Sequence, residues 1–384
     1  MKILFVSMHS IHAIRWIENL KDTSHELYWF DVTANGTLDT ISNVKQFTRW
    51  EKRKLPHLKG EYFLSKKLPL LYQFVRRILK VTENEALEAI ILSIQPDIVH
   101  SFEMQSCSYP ILKTMQKYPH IKWIYSCWGS DIFYYQNFKT HKRKMKNVLK
   151  RVNYIHTDCN RDFKLAQNLN FNGTYVGSVP GGSGYKLNEI EKYKIPIKDR
   201  KIILVKGYEH RFGRALNVIK SLELISNDLN EFDVVVFGAH DNVKQYIDQR
   251  GLGFKYFDRH ELLQEELLGL MGKAYIYIGN SISDGIPNTL LEALVMGAFP
   301  IQSNPGGATS EVISHETNGL LINDPENVIA ISQLIREALK NKELIFNSKL
   351  VNDEIAKSKL SYKMNQRKIL DIYERIKSQL SVTK

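Results

Sequence analysis

The residues best suited to chemistry lie between Ser281 and Ala293, where the sequence reads SISDGIPNTLLEA. Asp284 and Glu292 stand eight positions apart in this segment, and the residues between them change from loop-forming to helix-forming types. Backbone N–H groups at the start of a helix bind phosphate, aided by the helix dipole. Carboxylates accept hydrogen bonds from sugar hydroxyls. One segment could therefore hold both ends of a nucleotide sugar.

The same residues also allow a purely structural interpretation. The four residues from Thr289 to Glu292 read as a capping box, in which Glu292 would only close the start of a helix. Taken alone, the segment leaves the two interpretations open.

The surrounding sequence favours the first interpretation. The segment resembles the E-x7-E signature of the retaining GT-B glycosyltransferases of family 4, with Asp284 in place of the first Glu. GAFPIQSNPGGATSEVI (Gly297–Ile313) and NGLLI (Asn318–Ile322) continue the resemblance in order. It implies that Asp284 contacts the donor sugar and that Glu292 binds the nucleotide ribose. It also implies that the donor diphosphate lies against the backbone of Gly285, Ile286, Pro287, Asn288 and Thr289, where every residue except Pro287 offers an N–H group.

The elements around this segment predict an α/β fold. Apolar runs that read as strands alternate with helical patterns in both halves of the chain, which is typical of parallel sheets covered by helices. We therefore expect a GT-B fold, two Rossmann-like doubly wound domains that face each other across a cleft, with ligands at the carboxyl ends of the strands. The expected boundaries are 1–180 for an acceptor-side domain, 181–196 for a hinge, 197–355 for a nucleotide-sugar domain, and 356–384 for helices that return to the first domain, as the resemblance implies.

Basic residues follow the first predicted strand of the second half, in the sequence KGYEHRFGRA. The resemblance implies that two cations near this strand end bind the donor diphosphate, and the candidates are Lys206, Arg211 and Arg214. A solvated basic loop is the alternative. The chain contains no D-x-D, the pair of carboxylates that commonly holds a divalent metal. We therefore expect that no metal and no other cofactor is required, with cations and a helix N-terminus neutralising the diphosphate.

Two segments of the first half also resemble the family. Trp128 to Asp131 (WGSD) resembles its H-G-x-D turn, and PDIVHSFE (Pro96–Glu103) resembles its D-V-V-H strand end. Asp131 and His100 are therefore candidate catalytic residues beside Asp284. The structural alternatives are a helix cap for Asp131 and a packed, hydrogen-bonded imidazole for His100. Trp128 stands where the family has His, so no His-based role transfers to it. The candidates for acceptor or cleft contacts are His12, Arg15, Glu103 and Trp128.

Charge limits the possible partners. The 384 residues carry 53 Lys and Arg against 41 Asp and Glu, a net charge of +12. The range from Lys45 to Lys80 contains 11 basic residues, two acids and six interleaved aromatic residues, and the range Lys139–Arg151 adds seven basic residues. Basic and aromatic residues together suit an anionic membrane surface. A nucleic-acid face and a merely solvated face are the alternatives, and since no nucleic-acid motif is recognisable, we expect membrane contact and no nucleic acid.

Cysteine usage and hydropathy predict the location of the protein. The three cysteines, Cys107, Cys127 and Cys159, form no C-x-x-C pair, which suits a reducing compartment. No apolar run approaches the roughly 18 residues of a transmembrane helix. We expect a cytoplasmic protein that can associate peripherally with the inner face of the membrane.

These features together predict a retaining, hexosyltransferase-type glycosyltransferase. It would move a sugar from a nucleotide-sugar donor, expected to be UDP-linked, to a glycan or lipid-linked acceptor in cell-envelope polysaccharide synthesis. The resemblance implies a front-face mechanism in which the leaving diphosphate helps to deprotonate the acceptor. Two alternatives stay open, a sugar-nucleotide epimerase of the same fold and, from a different class, a nucleic-acid-binding protein.

Overall fold

The computed structural model describes residues 1–179, 181 and 183–382, and these residues form two compact units. The first unit contains Met1–Thr157, Phe163–Gly177 and the end of the chain from Leu370, and the second contains Asp158–Asp162 and Ser178–Ile369. Four residues lie outside the described part of the chain, namely Pro180, Gly182, Thr383 and Lys384. In the sequence analysis they belong to the end of the first domain, the hinge and the last helices.

The first unit is built on a seven-stranded sheet in the order β3-β2-β1-β4-β5-β6-β7. Its strands are β1 (Lys2–Ser7), β2 (Glu26–Asp31), β3 (Lys45–Phe47), β4 (Ile98–Phe102), β5 (Lys122–Cys127), β6 (Tyr154–Thr157) and β7 (Thr174–Ser178). Its helices are α1 (Ile11–Glu18), α2 (Glu61–Lys67), α3 (Pro69–Leu79), α4 (Glu83–Ile94), α5 (Tyr109–Lys117), α6 (Ser130–Phe133) and α7 (Lys139–Arg151). Helix α8 (Asn160–Asn168) begins in the second unit and continues in the first from Phe163. The central strands are almost wholly buried because helices cover both faces of the sheet.

The second unit repeats this plan with a six-stranded parallel sheet in the order β10-β9-β8-β11-β12-β13. Its strands are β8 (Ile202–Lys206), β9 (Asp233–Ala239), β10 (Lys255–Asp258), β11 (Ala274–Gly279), β12 (Phe299–Ser303) and β13 (Leu320–Ile322). Its helices are α9 (Leu187–Ile190), α10 (Ala215–Leu224), α11 (Asp241–Gln249), α12 (Gln264–Lys273), α13 (Asn288–Met296), α14 (Val328–Lys340) and α15 (Lys342–Ile355), and α16 (Tyr362–Val382) begins here and ends in the first unit. The predicted fold class, α/β with two Rossmann-like domains, is confirmed.

A buried chain of hydrogen bonds ties the last helix to the first sheet. The Tyr373 hydroxyl of α16 accepts a hydrogen bond from Trp16 Nε1 at 2.8 Å and lies 2.6 Å from His100 Nδ1. On the other side of the His100 ring, Nε2 lies 2.8 Å from Ser126 Oγ, which lies 3.1 Å from His156 Nδ1. Burial holds the pKa of His100 well below its ordinary value and lowers that of His156 to about 3. Both imidazoles are therefore neutral.

This network corrects the prediction for His100. Strand β4 does not end at His100 but continues to Phe102, so the imidazole does not emerge at a strand end. It is fully buried, with both ring nitrogens engaged. The structure matches the alternative, a packed and hydrogen-bonded histidine, and we assign His100 to the core.

Replacing Tyr373 with Phe should destabilise the first unit, because the Trp16 indole N–H and a His100 ring nitrogen would lose their partner in a buried site. A buried polar group left without a partner costs about 1–3 kcal/mol. All five tryptophans of the chain lie between residues 16 and 128, so their fluorescence during urea unfolding reports on the first unit alone. Tyr62→Phe, at a tyrosine of the first unit that is 77% exposed, is the control. Identical unfolding midpoints for Tyr373→Phe and the wild type would show that the network does not stabilise the fold.

Candidate functional site

The segment that follows β11 leads into α13, which begins at Asn288 with Pro287 as its N-cap. Glu292 is therefore the fifth helical residue rather than a first-turn residue. Thr289 lies inside the helix, and its hydroxyl is 2.8 Å from that of Tyr277. The capping-box interpretation is wrong, because its Ser or Thr must precede the helix.

The start of α13 presents the positive end of its helix dipole to the preceding loop. Within the described chain no side chain caps this helix. Gly285, Ile286 and Pro287 of that loop are buried, whereas Asp284, Asn288 and Thr289 are partly exposed. The segment thus keeps a carboxylate beside the positive end of a helix.

Asp284 is fixed by a residue that the sequence analysis did not select. Its backbone carbonyl accepts a hydrogen bond from Arg161 Nη2 at 2.8 Å, and its Oδ1 accepts the N–H of Gly285 at 2.9 Å. The buried Arg161 guanidinium also binds Asp162 at 2.7 Å and donates to the carbonyl of Pro305 at 2.6 Å. Arg161 therefore positions the loop that carries Asp284.

Glu292 lies close to the same site but deeper. The residue is 4 % exposed, and its Oε1 accepts a hydrogen bond from Gln264 Nε2 at 2.9 Å. Burial raises the pKa of the Tyr277 hydroxyl, and the charges of Asp284 and Glu292 raise it further. The two carboxylates that the sequence pairs therefore both lie near one buried tyrosine.

Cations gather around a second tyrosine at the carboxyl ends of β8 and β10. Lys206, the last residue of β8, places Nζ 4.8 Å from the centroid of the Tyr208 ring. Arg259, which follows β10, places its guanidinium carbon 5.4 Å from that centroid. An aromatic ring between two cations suits the binding of an anion or a planar base.

Two histidines complete this group. The ring centroids of His210 and His240 lie 5.6 Å apart, and each lies within 6 Å of the Tyr208 ring. Burial lowers the pKa of His210, and the charges of His240, Lys206 and Arg259 lower it further, while Asp284 opposes them. The Nε2 atom of His240 is buried without a hydrogen-bond partner among the described residues.

The His210 ring has a defined proton position. Its Nδ1 accepts the backbone N–H groups of Phe212 at 3.0 Å and Gly213 at 3.3 Å. The neutral ring must therefore carry its proton on Nε2.

The predicted cations Arg211 and Arg214 occupy different settings. Arg214 forms an ion pair with Glu326 and donates to the carbonyls of His210 at 3.2 Å and Gly213 at 2.8 Å. These contacts give Arg214 a part in shaping the loop after β8. Arg211 is exposed in the same loop.

In the first unit, Asp131 is enclosed rather than open. It is 4 % exposed, and its Oδ2 accepts the N–H of Met104 at 3.1 Å and the Tyr125 hydroxyl at 2.5 Å. Its Oδ1 accepts the Trp128 N–H and the Cys127 thiol, both at 3.1 Å. Both oxygens are occupied by donors of the first unit, which favours a structural role for Asp131 over catalysis.

Glu103 is the carboxyl with the raised pKa at this edge. It follows β4 with a backbone φ of 65°, in the region that non-glycine residues rarely adopt. Its carboxylate accepts the N–H groups of Gln105 at 2.9 Å and Ser106 at 2.5 Å. Burial, and then the charge of Asp131, raises the pKa of Glu103 to about 7.

The other first-unit candidates follow neighbouring strands. The His12 ring on α1 lies 5.2 Å from the Trp128 ring after β5, and the latter lies 6.1 Å from Phe102. Arg15 lies one turn further along α1 and is partly exposed. The structure therefore brings His12 and Trp128 together. The indole of Trp128 stands where the family pattern has an imidazole.

Two family models match the chain. The model described as glycosyl transferases group 1 matches residues 186–352, and the model described as glycosyl transferase 4-like matches residues 2–159. Together they cover β1 to β6 of the first sheet and every strand of the second.

Solved structures of similar fold span the whole chain. A sucrose-phosphate synthase from Thermosynechococcus elongatus has a TM-score of 0.74 at 15% identity, covering 99% of this chain and 100% of its own. A glycosyltransferase from Rickettsia africae has a TM-score of 0.66 at 17% identity, covering 98% of each chain. Anabaena HepE, solved with UDP and glucose, has a TM-score of 0.66 at 15% identity, covering 100% of each chain.

The Glu103→Gln variant should lose the part of the pH dependence of stability that comes from protonation of the Glu103 carboxyl. The Glu103 carboxyl has a pKa of about 7 in the folded chain against 4.5 when unperturbed. Between these values the unfolded chain releases the proton more readily, so stability is highest at low pH and falls as pH rises from about 4.5 to about 7. Urea midpoints across this window should depend less on pH in Glu103→Gln than in the wild type. Parallel pH profiles would show that Glu103 is ionised throughout.

Proposed function

Since the chain belongs to the group 1 glycosyl transferases, we propose that it transfers a hexosyl unit from a uridine diphosphate sugar to a glycan or lipid-linked acceptor, with retention at the anomeric carbon. The observation that carries this proposal is the convergence of Asp284, the uncapped start of α13 and a group of cations at one sheet edge. Transfer from a nucleotide sugar needs this combination, because a sugar must be held while a diphosphate leaves. The UDP and glucose bound by the similar Anabaena protein support the choice of donor.

The leaving diphosphate is bound by the first turn of α13 and by nearby cations. Lys206 and Arg259 flank Tyr208, and Arg211 is exposed in the intervening loop. Their charge stabilises the diphosphate as its bond to the sugar breaks, a task that a divalent metal performs in other transferases. The reaction is therefore proposed to be independent of metal. Within the described chain, no three or more His, Cys, Asp or Glu side chains are grouped to hold a metal ion.

The acceptor attacks on the face that the diphosphate leaves. As the new bond to the anomeric carbon forms, a diphosphate oxygen takes the proton of the acceptor hydroxyl. The protein orients both substrates, with Asp284 on the sugar and Glu292 on the ribose hydroxyls. In cells, the proposed product belongs to a cell-envelope polysaccharide.

Asp284→Asn and Glu292→Gln should change different kinetic constants, because the two residues are proposed to contact opposite ends of the donor. Contacts to the ribose are shared by substrate and transition state, so Glu292→Gln should raise the donor KM and leave kcat largely intact. The sugar contact matters most as the bond breaks, so Asp284→Asn should lower kcat. Initial rates with UDP-glucose measure both constants, and melting temperatures control for folding. Wild-type donor kinetics in both variants would remove these assignments.

Loss of Arg211 or Arg259 should weaken UDP binding by roughly tenfold each, as expected when one charge-assisted contact is lost. Titration calorimetry with UDP measures the effect, and Arg250→Ala, at an exposed ion pair of the same unit, is the matched control. Arg214→Ala should weaken UDP binding indirectly, by disturbing the loop after β8. Glu326→Gln, which removes the ion-pair partner of Arg214, should then weaken UDP binding to the same extent. UDP affinity unchanged by Arg211→Ala and Arg259→Ala would place the cationic site elsewhere.

We also propose that the first unit associates with anionic membranes through a helical hairpin formed by α2 and α3. Large apolar side chains are exposed along it, namely Tyr62 77%, Phe63 61%, Leu70 75%, Leu71 50%, Phe74 67% and Ile78 65%. Exposed basic residues stand among them, with Lys66 over the Tyr62 ring and Arg77 over the Phe74 ring. None of the described helices has the length and apolar character to span a bilayer. An exposed apolar face with basic flanks suits the membrane interface.

Charge variants and apolar variants of the hairpin should both weaken vesicle binding, but with a different dependence on salt. Lys66→Gln with Lys67→Gln should weaken flotation only with phosphatidylglycerol vesicles at low salt, by about 1 kcal/mol per charge at most. Phe63→Ser with Phe74→Ser should weaken it at every salt concentration. Lys340→Gln with Lys342→Gln, exposed in the second unit, is the charge-matched control. Equal recovery of the wild type on neutral and anionic vesicles would contradict the proposal.

A further inference from the structure

A groove of about 760 Å³ lies on the first unit, lined by residues of α3, α4, α5 and α7. Its basic side chains come from three of these helices, Arg77 from α3, Lys113 and Lys117 from α5, and Lys144 from α7. The Tyr109 ring forms part of the wall, with Lys144 Nζ 5.5 Å from its centroid. The groove thus combines an aromatic surface with converging cations.

The charges of the groove do not cancel. Three acids of α4 also line it, but Glu85 pairs with Lys54 at 2.8 Å and Glu88 pairs with Lys117. Among the lining residues that the structure describes, Arg77, Lys113 and Lys144 have no ion-pair partner, and they stand against the single carboxylate of Glu83. An uncompensated positive groove attracts an anionic ligand.

Gln105 links the groove to the carboxyl edge of the first sheet. Gln105 lines the groove and follows Glu103 by two residues, in the π-helical turn from Met104 to Ser108. Gln105 Nε2 donates to the carbonyl of Asp131 at 2.8 Å, whereas its Oε1 is buried and accepts no hydrogen bond from the described residues. A buried acceptor without a donor is costly unless a ligand hydroxyl satisfies it.

Arg77 links the groove to the α2–α3 hairpin, which is proposed to bind the membrane. Arg77 lines the groove and also packs over the ring of Phe74, whose side chain is 67% exposed. The exposed apolar face of α3 therefore continues into the cationic groove at Arg77. A ligand that lies along both must be apolar at one end and anionic next to it.

We propose that this groove binds the phosphate linkage of a lipid-borne acceptor. The lipid lies on the α2–α3 hairpin, the phosphate is bound by Arg77, Lys113 and Lys144, and the first sugar places a hydroxyl on Gln105 Oε1 beside Glu103. This proposal rests on the proposed sugar transfer and names the chemical class of its acceptor, an amphiphile in which phosphate joins lipid to sugar.

Vesicle binding tests the groove directly. Phosphatidylcholine vesicles containing a polyprenyl diphosphate are compared with phosphatidylcholine vesicles containing phosphatidylglycerol at the same surface charge. The wild type should prefer the first kind by about tenfold, since several charge-assisted contacts act together. Lys113→Gln with Lys144→Gln should abolish that preference and keep phosphatidylglycerol binding. Lys66→Gln with Lys67→Gln, on the hairpin, should weaken binding to both kinds and keep the preference.

The possible results distinguish failure of the groove proposal from failure of the proposed sugar transfer. A preference that survives Lys113→Gln with Lys144→Gln overturns the proposal, as does a wild type without preference. UDP calorimetry of the same variant should match the wild type, because the groove contains none of the second unit's cations. If wild-type protein fails to bind UDP or UDP-sugars while the diphosphate preference depends on Lys113 and Lys144, the proposed function fails and the groove stands.

Discussion

The close contact between the loop after β8 and the end of β9 determines the shape of the proposed donor side. A Cβ atom on Gly207 would lie 2.7 Å from Ala239 Cα, and one on Gly238 would lie 2.5 Å from Tyr208 Cε1. Gly207 also accepts the N–H of His240 at 3.1 Å, so the pairing of the two strands continues past their ends. This contact brings the tyrosine and the imidazoles of both loops within reach of one another, and any side chain at either glycine would force the loops apart.

The fold and the central segment of the site follow directly from sequence patterns. Alternating strands and helices predict two doubly wound sheets because the central strands are strongly apolar, so single-residue errors at their ends do not change the result. The boundaries are less certain in sequence. Helix α13 starts at Asn288, one residue before the proposed cap, and β4 continues two residues beyond His100. Those small shifts decide whether Glu292 closes a helix and whether an imidazole is buried.

The residues that sequence reasoning missed come from several loops. His240 follows β9 directly, and Arg259 follows β10 directly, but neither has a distinctive spacing. Their convergence depends on the strand order, which places β8, β9 and β10 side by side. The rule that ligands bind at the carboxyl ends of parallel strands contains the necessary signal. Arg161 offers no such signal, because it reaches Asp284 from a crossover 123 positions away.

The last helix gives the first unit an unusual dependence on the order of synthesis. Every strand of its sheet is complete by Ser178, yet the hydroxyl that links Trp16 and His100 belongs to Tyr373. A nascent chain emerges from its N-terminus, so the strands of the first sheet are synthesised well before Tyr373, and until then the sheet lacks this partner in its core. Until α16 is made, the partly formed unit stays a candidate for chaperone binding or proteolysis. A chain that stops after the second sheet would therefore leave the first sheet open to degradation.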